Sequence, residues 1–307
     1  KEFHRYGDKM PQKEIKLDLI DRKILYLLGE NARLSHTFIA KQLKVKRETV
    51  AYRIKRMEEQ DFLHGYLALL NPRCLGFKDY LVYCKLKTLV QEKDLLEYLL
   101  GIPAVTRLKN CSGTYDLQIV FTVATEEEFL LLFEAFISKY HAFIQNYDLH
   151  QIVEENFLGL NLLLPEGELK LFKKIEQKGS TFQKDFQKED HSKITLDEMD
   201  TAILEILKLN STTSIKDLSA QVELAPVAVT NRVRRLVRSG IIAHFIPLAS
   251  LQAIGYQWWK IFFKFKNINH QQFATFLKVH PQILWSMRLL GKWDYQCSVF
   301  AKDNAEF

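Results

Sequence analysis

The chain repeats itself. Laid from Leu17 against Leu196, it matches at a constant offset of 179: Leu17 falls on Leu196, Asp21 on Asp200, Ile24 on Ile203, Val50 on Val229, Arg53 on Arg232 and Gly76 on Gly255. After a one-residue slip the match resumes at 178, with Pro103 on Pro281, Gly113 on Gly291 and Asp116 on Asp294. Agreement at two constant offsets over such a length means two copies of one structural unit, so whatever folds once folds twice. The 307 residues also suit about two units of ordinary domain size.

Each unit changes hydrophobic period halfway. In the first copy Leu17, Ile20, Ile24, Leu27 and Leu28 recur at three- and four-residue steps, which predicts an amphipathic helix. Ser35 reads as the N-cap of a second helix with Phe38, Ile39 and Leu43 inward. A break at Lys44 and Val45 precedes a third, with Val50, Ile54 and Met57 on one stripe. Beyond it, 79–88, 104–111, 116–124 and 143–157 read as strands, with helices at 92–100 and after the charged start Thr125–Glu128. That order is β-α-β-β-α-β, the ferredoxin-like pattern. The second copy offers strands at 256–266, 282–290 and 294–302 and a helix at 270–279, then stops before its last helix and strand.

The fold class expected is therefore α+β. Two tandem units each place a three-helix helix-turn-helix domain before a ferredoxin-like domain, the second incomplete in this chain. The expected boundaries are an N-terminal extension 1–16, helix-turn-helix domains 17–64 and 196–243, ferredoxin-like domains 65–164 and 244–307, and a linker 165–195. The linker is Lys/Gln/Glu-rich, with a short amphipathic turn around Leu169, Phe172 and Ile175. As a flexible coil its 31 residues would span roughly 28–33 Å, close to one turn of duplex DNA.

Composition excludes several classes. The chain is 47% hydrophobic and 26% charged, that of an ordinary globular protein. The greasiest stretch, Tyr256 to Phe265, is broken by Lys260 and Lys264, so no membrane partner is expected. The polar start Lys1–Arg5 predicts no leader peptide. Cys74, Cys84, Cys111 and Cys297 share no C-x-x-C spacing, which predicts a reducing cytoplasmic setting. The nine histidines have no metal-ligand spacing, and there is no phosphate loop or local nucleophile–base motif. Neither metal nor cofactor is expected, and no enzyme. The net charge of +6 permits a polyanionic partner.

Three helices with a tight turn before the third, followed by β-α-β-β-α-β, resemble the Lrp/AsnC (feast/famine) transcription regulators, here as an archaeal-type tandem duplication. The resemblance rests on Asp18, Asp21, Ile24 and Leu25, on Asn31-Ala32-Arg33, and on the Val-x-x-Arg core of the third helix. Gly65–Tyr66, Gly76 and Gly113-x-x-Asp116 complete it. It implies a winged helix-turn-helix that binds double-stranded DNA through the third helix. It also implies a ferredoxin-like (RAM) domain that dimerises and senses an amino acid. The sequence departs from the family at the start of the third helix, where a capping Ser is usual. Lys46 stands there in copy one and Ala225, followed by Pro226, in copy two. Asn210-Ser211-Thr212 replaces Asn-Ala-Arg.

Projected at ~100° per residue, the outer face of the first recognition helix mixes signs: Glu48, Tyr52, Lys55, Arg56 and Glu59. That of the second carries Val227, Thr230, Asn231, Arg234, Arg235 and Arg238 with no carboxylate. Arg and Asn are the common readers of guanine and adenine edges, so copy two has the better DNA-facing helix. The nucleic-acid-binding candidates are Lys46, Arg47, Tyr52, Lys55, Arg56, Thr230, Asn231, Arg234, Arg235 and Arg238. Merely solvated surface is the plainer account of such a face. Arg53 and Arg232 flank the buried stripe and serve either packing or a ligand. Gly113, Asp116, Gly291 and Asp294 either line an effector pocket or are hairpin chemistry. The aromatic run Tyr256, Trp258, Trp259, Phe262, Phe263 and Phe265 reads as a strand covered on both faces.

The favoured function is a DNA-binding transcriptional regulator, modulated by a small amino-acid-like effector. The alternative is a non-catalytic factor that binds RNA, a ribosomal subunit or a protein assembly. A third reading is an amino-acid sensor whose DNA contacts have decayed. Self-association through the sheets is expected, because helices cover one sheet face and the other needs apolar cover. Leu81, Tyr83, Leu117 and Ile119 or their neighbours would supply it.

Overall fold

The structure is a computed structural model and describes residues 15–87, 92–176 and 195–307. Most of the expected N-terminal extension, and linker residues 177–194, lie outside the described residues.

Helices α1 (Leu19–Glu30), α2 (His36–Leu43) and α3 (Arg47–Glu59) form the first helix-turn-helix. Asp18 caps α1 and Asp21 caps it back, a reciprocal box that satisfies two amides otherwise left without partners. Ser35 caps α2 through the Phe38 amide, as its position in the sequence predicts. The repeat persists in the backbone. Lys44 and Glu223, 179 apart, are both left-handed at φ 55° and 53°, each turning the chain just before a recognition helix.

The strand after α3 departs from the pairing a self-contained unit would have. Strand β1 (Leu63–Leu70) pairs antiparallel not within its own unit but with β6 (Ile242–Ala249) of the other copy. The exchange is reciprocal around it. The Ala32 amide donates to Phe245 O at 2.9 Å and the Ser211 amide to Tyr66 O at 2.8 Å. The Asn71 amide donates to Ile241 O at 2.8 Å and the Ser250 amide to Phe62 O at 2.9 Å. Each bond maps onto its mate at the offset of 179, the signature of an isologous two-fold contact inside one chain. Arg33 adds an asymmetric clasp, donating to Ser211 O and, at 3.0 Å, to Thr213 O. Burial pulls its guanidinium down to about 10.

The ferredoxin-like halves join in the same way. The first half runs β2 (Lys78–Leu86), α4 (Glu92–Gly101), β3 (Val105–Asn110), β4 (Leu117–Val123), α5 (Glu126–Tyr140) and β5 (Ile144–Phe157). Next comes α6 (Glu166–Glu176), within the expected linker. The second unit begins with α7 (Glu198–Leu209), α8 (Ile215–Gln221) and α9 (Pro226–Arg238), then β6. It continues as β7 (Gln257–Phe263), α10 (His270–Val279), β8 (Ile283–Gly291) and β9 (Tyr295–Ala301). One seven-stranded sheet results, ordered β3-β4-β2-β5-β8-β9-β7. Strand β5 is its hinge, pairing with β2 through residues 144–152 and with β8 through 150–157, with a bulge between Ile152 and Glu154. Bulges bend and twist a strand, and here the two halves face one another.

Period-two alternation sorts the side chains. Val82, Cys84, Leu117, Ile119 and Phe121 face α4 and α5, while Leu81, Tyr83, Val120, Ile152, Met287 and Leu289 meet between the halves. Residues 179 or 178 apart come together across this interior. The Tyr83 and Phe262 rings lie 5.1 Å apart, and Trp293 Nε1 donates to Tyr115 Oη at 3.4 Å. The apolar cover expected from a second copy is thus supplied by the chain's own second half. Leu117 and Ile119 face the helices instead. The aromatic run is covered on both faces: Trp258 and Phe262 point inward, while Trp259 and Phe263 pack on α10.

The linker is not simply a tether. Leu169 and Phe172 of α6 bury against the first helix-turn-helix, where Phe172 meets the Tyr26 ring edge-on at 5.7 Å and Glu168 pairs with Lys23 at 2.9 Å. That core also takes Leu251, Ala253, Tyr256, Leu284 and Phe300 from the second unit. Spacing between the two units is therefore set by direct contact.

Candidate nucleic-acid interface

Two arginines on each recognition helix are committed to the frame. Arg53 bonds Asp18 at 2.6 Å and Asp21 at 2.8 Å, and Arg56 bonds Asp21 at 2.6 Å. In the second copy Arg232 bonds Asp197 at 2.6 Å and Asp200 at 2.8 Å, and Arg235 also bonds Asp200. Asp21 and Asp200 are fully buried, so these pairs pin the first helix of each unit to its third. Asp197 is held below the usual carboxylate range by the Asp200 amide and then by Arg232. Arg53 and Arg232 thus serve helix packing. Arg56 and Arg235, candidates for DNA contact, carry this second duty.

The remaining candidates sit outward. On α3, Lys46, Arg47, Tyr52 and Lys55 are exposed beside Glu48, Glu58 and Glu59, and Lys55 pairs with Glu59 at 3.5 Å. On α9, Asn231, Arg234 and Arg238 are exposed, and the first turn holds no acid. Thr230 is half-covered and returns its hydroxyl to Pro226 O at 2.8 Å. Neither recognition helix has a side-chain N-cap, as expected from Lys46 and Ala225, and Pro226 occupies the first turn of α9.

The effector candidates are tied up by a lock in each hairpin. Asp116 takes Lys85 Nζ at 2.9 Å and the Leu86 amide at 2.8 Å, while Lys85 also reaches Gly113 O at 3.1 Å. Asp294 repeats this with Lys264 at 3.1 Å and the Phe265 amide at 2.7 Å, Lys264 reaching Gly291 O at 3.4 Å. For Asp116 burial pushes the carboxyl upward, but Lys85 and the amide outweigh it and hold it low. All four residues take part in these hairpin contacts. Arg33 belongs to the family motif, yet its reach into the other copy is not readable in the sequence, because nothing local signals a partner 178 residues away.

Known proteins agree with this geometry. Residues 17–58 match the AsnC-type helix-turn-helix domain and residues 196–243 a winged helix-turn-helix DNA-binding domain. An HTH-type transcriptional regulator of Methanocaldococcus jannaschii is 33% identical over 100 residues, covering 33% of this chain and 68% of that protein. The leucine-responsive regulatory protein of Haemophilus influenzae is 32% identical over 126 residues, covering 39% of this chain and 75% of that protein. The crystal structure of the siroheme decarboxylase NirDL superposes with a TM-score of 0.57 over 94% of this chain and 83% of that chain. At 10% identity that likeness is one of fold alone. With both helix-turn-helix units matched and more than two thirds of each of these relatives covered, the chain belongs to the Lrp/AsnC family of DNA-binding transcriptional regulators.

Proposed function

We propose that one chain does the work of a family dimer on DNA, with α9 as the dominant reader and α3 as the weaker one. The observation that carries this is the contrast between the two outer faces: α9 offers Asn231, Arg234 and Arg238 with no carboxylate on its outer face, whereas Glu48 and Glu59 repel phosphates beside Lys55. The reciprocal β1–β6 exchange supports the dimer-like part, since paired helix-turn-helix units read half-sites about one turn, ~34 Å, apart. Regulation rather than catalysis is the reading consistent with the family's transcriptional regulators, and the cytoplasm is its setting. Modulation by an amino-acid-like effector and assembly of several chains extend the same reading.

Fluorescence anisotropy on short duplexes tests it. Arg234→Ala or Asn231→Ala is expected to weaken binding about 5- to 150-fold at fixed salt, the range for one lost base contact. Lys55→Ala should weaken it less and flatten the salt slope by about one phosphate. A larger loss from Lys55→Ala would reverse the assignment of copies. Binding to RNA with none to duplex DNA would move the function to RNA or a ribosomal subunit.

A further inference from the structure

The interior between the sheet halves sets charged side chains beside its apolar cluster of Leu81, Tyr83, Val120, Ile152, Met287 and Leu289. Arg107 and Lys109 on β3 and Lys260 on β7 all point into it, opposed by the carboxylate of Glu155, which pairs with Arg107. Lys260 Nζ donates to Gln118 Oε1 and, at 3.2 Å, to Cys111 Sγ. Lys109 Nζ lies 4.5 Å from the centre of the Trp258 ring and Lys260 Nζ 5.3 Å from it. Among the described residues neither lysine meets a carboxylate. Both side chains are half-buried. The indole Nε1 of Trp258 is buried without an acceptor. Burial, then Lys260 and Arg107, pull the Lys109 amine down to about 7.

The repeat shows that packing does not require these charges. The position equivalent to Arg107 is Trp285, that of Lys109 is Met287, and that of Lys260 is Leu81. Strand registers agree: Lys109 sits opposite Gln118 as Met287 sits opposite Gln296. The same scaffold thus fills these sites with apolar side chains in its other half. Three basic side chains facing the one carboxylate of Glu155 are unfavourable in this interior unless further negative charge joins them.

We propose that the space between the sheet halves binds a small oxyanion, a carboxylate or a phosphate, held by Lys109 and Lys260 with Arg107 beside them. The donors come from both units, β3 from the first and β7 from the second, so the bound anion ties the halves together. Aromatic walls from Tyr83, Trp258 and Phe262 suit an organic body carrying that charge. The site is separate from the recognition helices and does not depend on which helix reads DNA.

The test uses the full chain without DNA, titrated by calorimetry with citrate and with inorganic phosphate, and melted with and without each. One probe is expected to bind and raise the melting temperature, and which one identifies carboxylate or phosphate. Lys109→Met and Lys260→Leu, the residues the other copy uses, are expected to fold and to weaken that binding about ten-fold or more. Without anion they should melt no lower than the parent protein. Neither probe binding at millimolar concentration, or both variants binding as tightly as the parent, overturns the proposal. So does a lower melting temperature of the variants that is the same with and without anion, which would make the lysines purely structural.

Discussion

Replacing Asp200 by alanine is expected to destabilise the second helix-turn-helix by about 3 kcal/mol. Asp200 is fully buried and accepts from Arg232 at 2.8 Å and from Arg235, while its side chain also returns to the Asp197 amide at 3.3 Å. Removing it leaves two guanidiniums without their shared acid and opens the capping box at the start of α7. Both arginines retain some contact with water, which keeps the loss near the lower end for a broken buried pair. Chemical denaturation measures it. Asp21→Ala should cost a similar amount in the first unit, where Arg53 and Arg56 take the same places. A change below about 0.5 kcal/mol, the level of an ordinary surface substitution, would mean that apolar packing alone holds α7 to α9.

Gly291→Ala is expected to be far more damaging than Gly113→Ala, although the two positions are equivalent in the repeat. A Cβ on Gly291 would stand 2.8 Å from Leu149 O and 2.9 Å from His150 Cδ2, and φ there is +149°. The β8–β9 hairpin must lie against β5 at that point, because β5 continues the sheet into β8, with His150 opposite Gly291. Gly113 has φ +108° and no heavy atom within 4 Å of its would-be Cβ. It should lose about 1 kcal/mol from backbone strain. Gly291→Ala should lose that plus roughly 1–3 kcal/mol for the crowding, because backbone lies in the way. Thermal melting of the two variants compares them. Equal losses would mean that the β5–β8 seam yields easily. An effector role shared by both glycines predicts a different outcome, with ligand response falling in each variant while stability changes little.

Local structure is legible in the sequence. Ser35 marks its helix start, the Val50–Ile54–Met57 stripe marks its buried face, and the Val/Ile/Leu runs mark β2 to β5 and β7 to β9. The repeat makes every such statement hold twice. Which copy pairs with which stays hidden. Strands β1 and β6 carry half-covered positions on both faces, so their alternation is weak, and each finds its partner 179 residues away. Patterning within a window cannot encode that choice. The site is half legible for a related reason. Outward position and charge pick out Asn231 and Arg234, but the Asp-x-x-Asp motif gives no sign that its second Asp holds Arg56 and Arg235.

Central to the proposed function is that the two units form one reader through their own pairing, not through the segment that links them. Cutting the chain at a protease site introduced within 177–194 tests this directly. The two pieces are predicted to stay together as one particle of 36.0 kDa and to bind a cognate duplex with unchanged affinity and salt slope. Separation of the pieces, or loss of duplex binding on cutting, would contradict it, because the reach between the recognition helices would then belong to the linker.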